Sequence, residues 1–114
     1  PIQVALAEYM KTPEHYNSLG KFYQQKRDQF LSFIKGSSLQ PLNCYGSYFQ
    51  LLSYESISKQ GDMAMAEELT IKHKIASIPV SVFYQDKRDD KLLRFCFAKQ
   101  DETLEKAGEI LRKI

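Results

Sequence analysis

The segment Leu92–Ala98 constrains the fold more than any other part of the chain, because it is an apolar run interrupted by one arginine. Side chains alternate between the two faces of a β-strand. One face therefore carries Leu93, Phe95 and Phe97, and the other carries Arg94, Cys96 and Ala98. The bulky face is the natural core face, so we predict a strand that other elements cover on that side.

The rest of the chain predicts helices around a small sheet. The spacing of apolar residues and the order of charges predict helices at Ile2–Lys11, Glu14–Lys35, Ser58–Lys74 and Asp101–Ile114. A second strand is predicted at Tyr48–Tyr54, and Val80–Tyr84 is a strand or an extended loop because it follows Pro79. Asp62 is the expected N-cap of the third helix, and Gln85–Lys91 is a charged, solvated turn with no core position. This order predicts an α+β fold with helices packed on a small sheet.

Length and composition exclude several classes of protein. The 114 residues suit one domain with a single core. We expect no membrane partner and a cytoplasmic location, because there is neither a membrane-length apolar run nor a secretory signal. The two cysteines fit a reducing compartment, and the mixing of 16 basic with 14 acidic residues argues against nucleic-acid binding. The start at Pro1 indicates a piece of a longer protein.

Arg94 is the main candidate for chemistry. Its planar, permanently charged fork, beside small neighbours on its face, is suited to binding a carboxylate through two parallel hydrogen bonds. The alternative is an edge strand whose second face meets water, with Arg94 solvated or paired with a helix glutamate. The residues alone leave both interpretations open.

The turn Pro41–Phe49 is the second candidate, because a glycine beside aromatic rings can line a pocket. It can equally be a tight entry into a buried strand. His15 and His73 lack the neighbours of a metal site, so no metal is expected. Cys44 and Cys96 have no partner that would make either a nucleophile.

Four segments occur in an order and spacing that are together fairly specific: Pro1–Ala5, Gly46–Phe49, Ile78–Tyr84 and Leu93–Ala98. They resemble the C-terminal small domain of the class I/II aminotransferases, which depend on pyridoxal phosphate. Ile78–Tyr84 and Arg94–Lys99 are most similar to the group of bacterial methionine aminotransferases and kynurenine or glutamine transaminases. Val80 and Tyr45 stand where many relatives have glycine, which implies a different loop geometry.

The resemblance implies a transaminase domain with a small, mostly antiparallel sheet. In it Arg94 would hold the substrate α-carboxylate, and Gly46, Ser47 and Phe83 are candidate pocket-lining residues. The lysine that forms the Schiff base lies upstream in this family, and no lysine here stands in a matching motif. The chain alone is therefore expected to be inactive, without bound pyridoxal phosphate. The implied partners are amino acid and 2-oxo acid substrates, a large domain of the same chain and a second subunit of a homodimer.

The expected organisation is one domain over residues 1–114, the C-terminal fragment of a longer enzyme, with 1–13 as an inter-domain helix segment. Two other functions stay open. One is a free-standing α+β ligand-binding or interaction domain. The other is a C–S β-lyase of the same cofactor superfamily.

Overall fold

The computed structural model describes all 114 residues and contains one four-stranded sheet. Its strands are β1 (Gln40–Pro41), β2 (Phe49–Ser53), β3 (Ile78–Pro79) and β4 (Leu92–Cys96). They lie in the order β1-β2-β4-β3, and every neighbouring pair is antiparallel. The predicted α+β class with a small antiparallel sheet is confirmed.

Helices pack against this sheet. They are α1 (Ile2–Tyr9), α2 (Glu14–Asn17), α3 (Leu19–Phe33), α4 (Asp62–His73) and α5 (Asp101–Leu111), and a short 3-10 helix spans Val80–Phe83. None of the helices combines the length and the apolar character needed to span a bilayer. Helix α1 differs from the longer helices because none of its residues is buried, and Ile2 and Val4 are 83% and 73% exposed.

The core lies between one face of the sheet and helices α3, α4 and α5. The bulky face predicted for β4 is buried, since Leu93, Phe95 and Phe97 are almost wholly inaccessible. Leu52 of β2 pairs with Leu93 and shares this face. The helices contribute Phe30, Met65, Leu69, Leu104 and Leu111 to the same cluster. Each such side chain stabilises the fold by about 1.5–3 kcal/mol when it is fully buried, so this cluster holds the layers together.

Helices α3 and α5 approach each other most closely at Gly108. A Cβ atom built on Gly108 would lie 2.5 Å from the Phe33 Cβ and 2.9 Å from the Phe33 carbonyl oxygen. The same carbonyl accepts a hydrogen bond from Arg112 Nη1 at 3.0 Å. Because the nearest atoms belong to the backbone of α3 or are fixed to it, this packing distance requires glycine.

The single long helix predicted over Glu14–Lys35 is wrong in its first turns. The structure has two helices there, α2 and α3, separated at Ser18. Ser18 and Gly20 are weak helix formers, and the apolar side chains beside them, Tyr16 and Leu19, are exposed. Without packing to favour a continuous helix, local propensity decides where the regular hydrogen bonds are interrupted, while Ser18 itself keeps helical backbone angles.

Two predictions around α4 are also wrong. The helix begins at Asp62 with Gly61 as its N-cap, so Asp62 is not the cap. Val80–Phe83 forms a 3-10 helix in place of the predicted strand or extended loop. One contact explains both differences, because the Asp62 carboxylate binds the backbone N–H and the hydroxyl of Ser81. That contact takes the carboxylate away from the amides of its own helix and anchors the following turn.

Gly108→Ala should lower the free energy of unfolding by about 1–3 kcal/mol, because the added methyl group overlaps the α3 backbone. Gly20→Ala is the matched control, since a Cβ there has nothing within 4 Å. That control should raise stability by up to about 1 kcal/mol, because alanine favours the helix. Urea unfolding measures both changes, and equal stabilities of the two variants would contradict the close contact at Gly108.

Candidate functional site

Arg94 lies near the middle of the sheet, on the face opposite the core. In β4 it pairs with Leu51 of β2 on one side and with Ile78 of β3 on the other. Leu51 is half-buried and Ile78 is 39% exposed, so no layer of this chain covers the outer face. A charged side chain at this position can meet a ligand that approaches from solvent.

Two aromatic rings hold the guanidinium group of Arg94. Its Cζ atom lies 4.0 Å from the ring centroid of Phe49 and 4.7 Å from that of Phe83. Phe49 opens β2, whereas Phe83 closes the 3-10 helix, so two separate segments deliver the rings. Each cation–π contact contributes about 0.5–2 kcal/mol and restricts the plane of the guanidinium.

The charge of Arg94 has no counter-charge within the chain. No carboxylate forms an ion pair with it, so the alternative of a helix glutamate partner is not supported. Its Nε atom is buried and has no hydrogen-bond partner. A buried donor without an acceptor is unfavourable. The two Nη groups are not among the buried unpaired atoms, and they offer donors in one plane to an anion with two oxygens, such as a carboxylate.

The structure brings together only two of the four residues predicted for the site. Arg94 and Phe83 are in contact, as just described. Gly46 and Ser47 instead line a separate cleft of about 840 Å³ between α3 and the turn before β2. Neither Arg94 nor Phe83 lines that cleft. The predicted turn is thus split, and its last residue, Phe49, is the one that reaches Arg94.

The cleft beside Gly46 is built around a turn with unusual backbone geometry. Ser47 adopts a positive φ of 70°, and its hydroxyl oxygen accepts the N–H of Phe49 at 3.3 Å. Arg27 of α3 donates to the carbonyl oxygen of Cys44. A Cβ at Gly46 would meet nothing within 4 Å, so no close approach within the chain requires glycine there. These contacts fix the start of β2, and with it the ring of Phe49.

Sequence reasoning did not select Phe49 as a contact of Arg94. The signal that could have found it is the strand register. Phe49 pairs with Cys96, two residues beyond Arg94, and such diagonal neighbours lie within reach of an aromatic ring. That register is not visible before the two strands are aligned.

The residues of this chain do not fit a covalently bound pyridoxal phosphate. No lysine is buried: Lys26 and Lys91 are half-buried and paired with Asp101 and Asp89, and the other lysines are exposed. A lysine that serves as an imine-forming nucleophile is activated by desolvation in an apolar pocket, and no lysine of this chain is buried in one. No group of three histidine, cysteine or acidic residues is placed to hold a metal ion.

A buried polar cluster lies under the turn that carries Phe83. Asp62 is 3% exposed; its Oδ2 accepts the Ser81 N–H and its Oδ1 accepts the Ser81 hydroxyl, both at 2.7 Å. The backbone N–H of Asp62 donates to Asp89 Oδ2 at 3.1 Å, so Asp89 caps α4 from the loop before β4. Lys91 donates to Asp89 with its N–H and its ammonium group, at 2.9 and 2.7 Å.

This cluster changes the pKa values of two side chains, Tyr54 and Asp89. Burial, followed by the charges of Asp89 and Asp62, raises the pKa of Tyr54 above its usual range. Burial alone would raise the pKa of Asp89, but hydrogen bonds from Lys91 and from the Asp62 N–H outweigh it, so that pKa is lowered. The predicted solvated turn therefore contains one half-buried acid with a structural role.

Comparisons with known proteins place the chain among aminotransferases. No protein-family model matches it. It is 44% identical over 115 residues to methionine aminotransferase of Escherichia coli K12, with all of this chain and 30% of the relative aligned. It is 34% identical to kynurenine–oxoglutarate transaminase 3 of Mus musculus, covering 98% of this chain and 29% of that one.

The solved structures agree in fold. An Escherichia coli crystal structure, described as identifying a methionine aminotransferase function, superposes with a TM-score of 0.93 and 43% identity. The match covers 98% of this chain and 30% of that one. The chain thus spans about 30% of the length of the relatives it matches.

Tyr54→Phe should flatten the loss of stability at alkaline pH. With its pKa raised in the folded state, Tyr54 contributes stability fully below about pH 10, the ordinary tyrosine value, and loses it as the pH rises further. Urea unfolding between pH 8 and pH 11 should therefore show a fall steeper by up to about 1.4 kcal/mol per pH unit in the unmodified protein. Parallel curves for the two proteins would contradict the raised pKa.

Proposed function

This chain belongs to the aminotransferase family, and on that premise we propose that it is the substrate-carboxylate-binding small domain of a pyridoxal-phosphate-dependent aminotransferase. The enzyme moves an amino group from an amino acid to a 2-oxo acid. Relatives named as methionine and kynurenine transaminases support a methionine, aromatic or glutamine-like amino donor. The single observation that carries the proposal is the guanidinium of Arg94, which contacts two aromatic rings and forms no ion pair within the chain.

In this proposal Arg94 binds the α-carboxylate of the substrate. Its fork offers two parallel donors in a fixed plane, and a carboxylate offers two acceptors at matching separation. The rings of Phe49 and Phe83 lie against the guanidinium and displace water from part of its surface, which strengthens an ion pair there. Holding the carboxylate fixes the orientation of the substrate Cα atom, and orientation of this kind accounts for a large part of enzymatic rate enhancement.

The remainder of the proposed enzyme supplies what this chain lacks. We place the cofactor, with its lysine, in a large domain outside residues 1–114, because no lysine described above fits that role. The exposed apolar side chains of α1 support residues 1–13 as a segment between the two domains. A homodimer in the cytoplasm completes the proposal by analogy with the family.

Arg94→Lys in the full-length enzyme should lower kcat/KM for amino-acid substrates by about a hundredfold, because a point charge cannot replace two charge-assisted hydrogen bonds. Arg88→Lys is the matched control. Arg88 also stacks on an aromatic ring, with its Cζ 4.5 Å from the Tyr84 centroid, but it pairs with Asp90 on the exposed loop. That variant should change kcat/KM less than about twofold, as surface substitutions usually do. An unchanged kcat/KM in Arg94→Lys would contradict the role of Arg94 in binding the carboxylate.

The isolated chain should not transfer amino groups when pyridoxal phosphate, an amino acid and a 2-oxo acid are added. No buried lysine is present to form the reactive imine. Chromatographic assay of the new keto acid, with the full-length enzyme as the positive control, measures this. Turnover by the isolated chain at a rate above that of free pyridoxal phosphate would contradict the proposal that the cofactor-binding lysine lies outside residues 1–114.

A further inference from the structure

The 3-10 helix that carries Phe83 has little packing of its own over the site. Val82 and Phe83 are 51% and 57% exposed, so contact with Arg94 does not by itself fix the ring. The other half of the turn is different, because Val80 and Ser81 are 8% and 7% exposed. The position of Phe83 therefore depends on how firmly the buried half of the turn is held.

Asp62 holds that buried half. Both of its carboxylate oxygens accept hydrogen bonds from Ser81, one from the backbone N–H and one from the hydroxyl. The main chain of the turn and its side chain are thus tied to the start of α4. No lysine or arginine pairs with Asp62, so the charge is balanced by these donors and by the N-terminus of its helix.

The cost of burying this carboxylate argues that it does more than fill space. A buried carboxylate without a cation is unfavourable compared with an apolar side chain of the same volume. It is offset here by the two hydrogen bonds from Ser81 and by the N-terminus of α4. The result is a rigid link from α4 to Ser81, two residues before Phe83.

We propose that Asp62 is a positioning residue of the Arg94 site, which acts by fixing Ser81 so that Phe83 covers one face of the guanidinium. This inference rests on the proposed function, because the consequence measured is substrate-carboxylate binding. Asp62 does not touch the ligand, and its effect passes through Phe83. Removing the anchor leaves Arg94 in place but lets water reach the face that Phe83 covers.

A double-mutant cycle in the full-length enzyme tests the route of this effect. Asp62→Ala should raise KM for the amino acid about tenfold while changing kcat less, since charge-assisted hydrogen bonds hold the turn. Phe83→Ala should raise KM by a similar factor. In the double variant the two effects should not multiply, because both act on the same contact. Independent, multiplying effects would overturn the positioning role.

The isosteric variant separates anchoring from charge. Asp62→Asn keeps an oxygen that can accept the Ser81 N–H and an amide that can donate to the Ser81 hydroxyl oxygen, so it should restore KM to within about threefold. Glu67→Ala is the control on the exposed face of α4, where removal of an acid should leave KM unchanged. A tenfold rise in KM for Asp62→Asn would show that charge, and not anchoring, is what matters.

One further measurement and one replacement variant distinguish a loss of the anchor from a loss of folding. Hydrogen exchange at the Ser81 amide should be slow in the unmodified enzyme and in Asp62→Asn, and fast in Asp62→Ala. If Asp62→Ala does not fold, Ser81→Ala takes its place in the cycle, because it removes one of the two bonds. An unchanged KM beside a fast-exchanging Ser81 amide would overturn the inference. Failure of the proposed function is recognised separately, by unchanged constants in Arg94→Lys.

Discussion

Antiparallel pairing of β2 with β4 is the constraint on which both the core and the site depend. Leu52 faces Leu93 on the buried side of the sheet, whereas Leu51 faces Arg94 on the outer side. Because side chains alternate with a period of two, a slip of one residue in β4 would bury Arg94 and expose Leu93. Burying an unpaired guanidinium would cost far more than the lost apolar contact. Burial of the apolar face therefore fixes Arg94 on the outer face of the sheet.

Asp62 and Arg94 differ in how completely the chain supplies partners for their charged groups. The Asp62 carboxylate is buried, and donors of the chain itself satisfy both of its oxygens. Arg94 is half-buried in contact with two rings, and its Nε has no acceptor. The complete set of partners makes the first group a structural link, while the second, whose set is incomplete, is the group to which the proposed function assigns carboxylate binding. The 3-10 helix connects them, since Ser81 is bound to Asp62 and Phe83 lies on Arg94.

Under the proposed function, the Arg94 site is one side of a larger active site. This chain contributes an arginine and two rings from three separate segments, but no buried lysine. It spans about 30% of the length of its relatives, and the apolar side chains of α1 are uncovered. Under the proposed function, the missing lysine and the missing cover both belong to the rest of the enzyme. The absence of a buried lysine from the site and the exposure of the apolar side chains of α1 then have the same explanation.

The sequence by itself determined the α+β class, the buried face of β4 and the prominence of Arg94, because strand alternation and apolar burial are encoded locally. The resemblance of four short segments to aminotransferases also indicated the family from the sequence. The tertiary structure alone decided that Phe49 and Phe83 contact Arg94, while Gly46 and Ser47 line another cleft. It also turned Asp62 from an expected helix cap into the anchor of Ser81. These contacts join residues far apart in the chain, and strand register and helix packing set them, which no local pattern records.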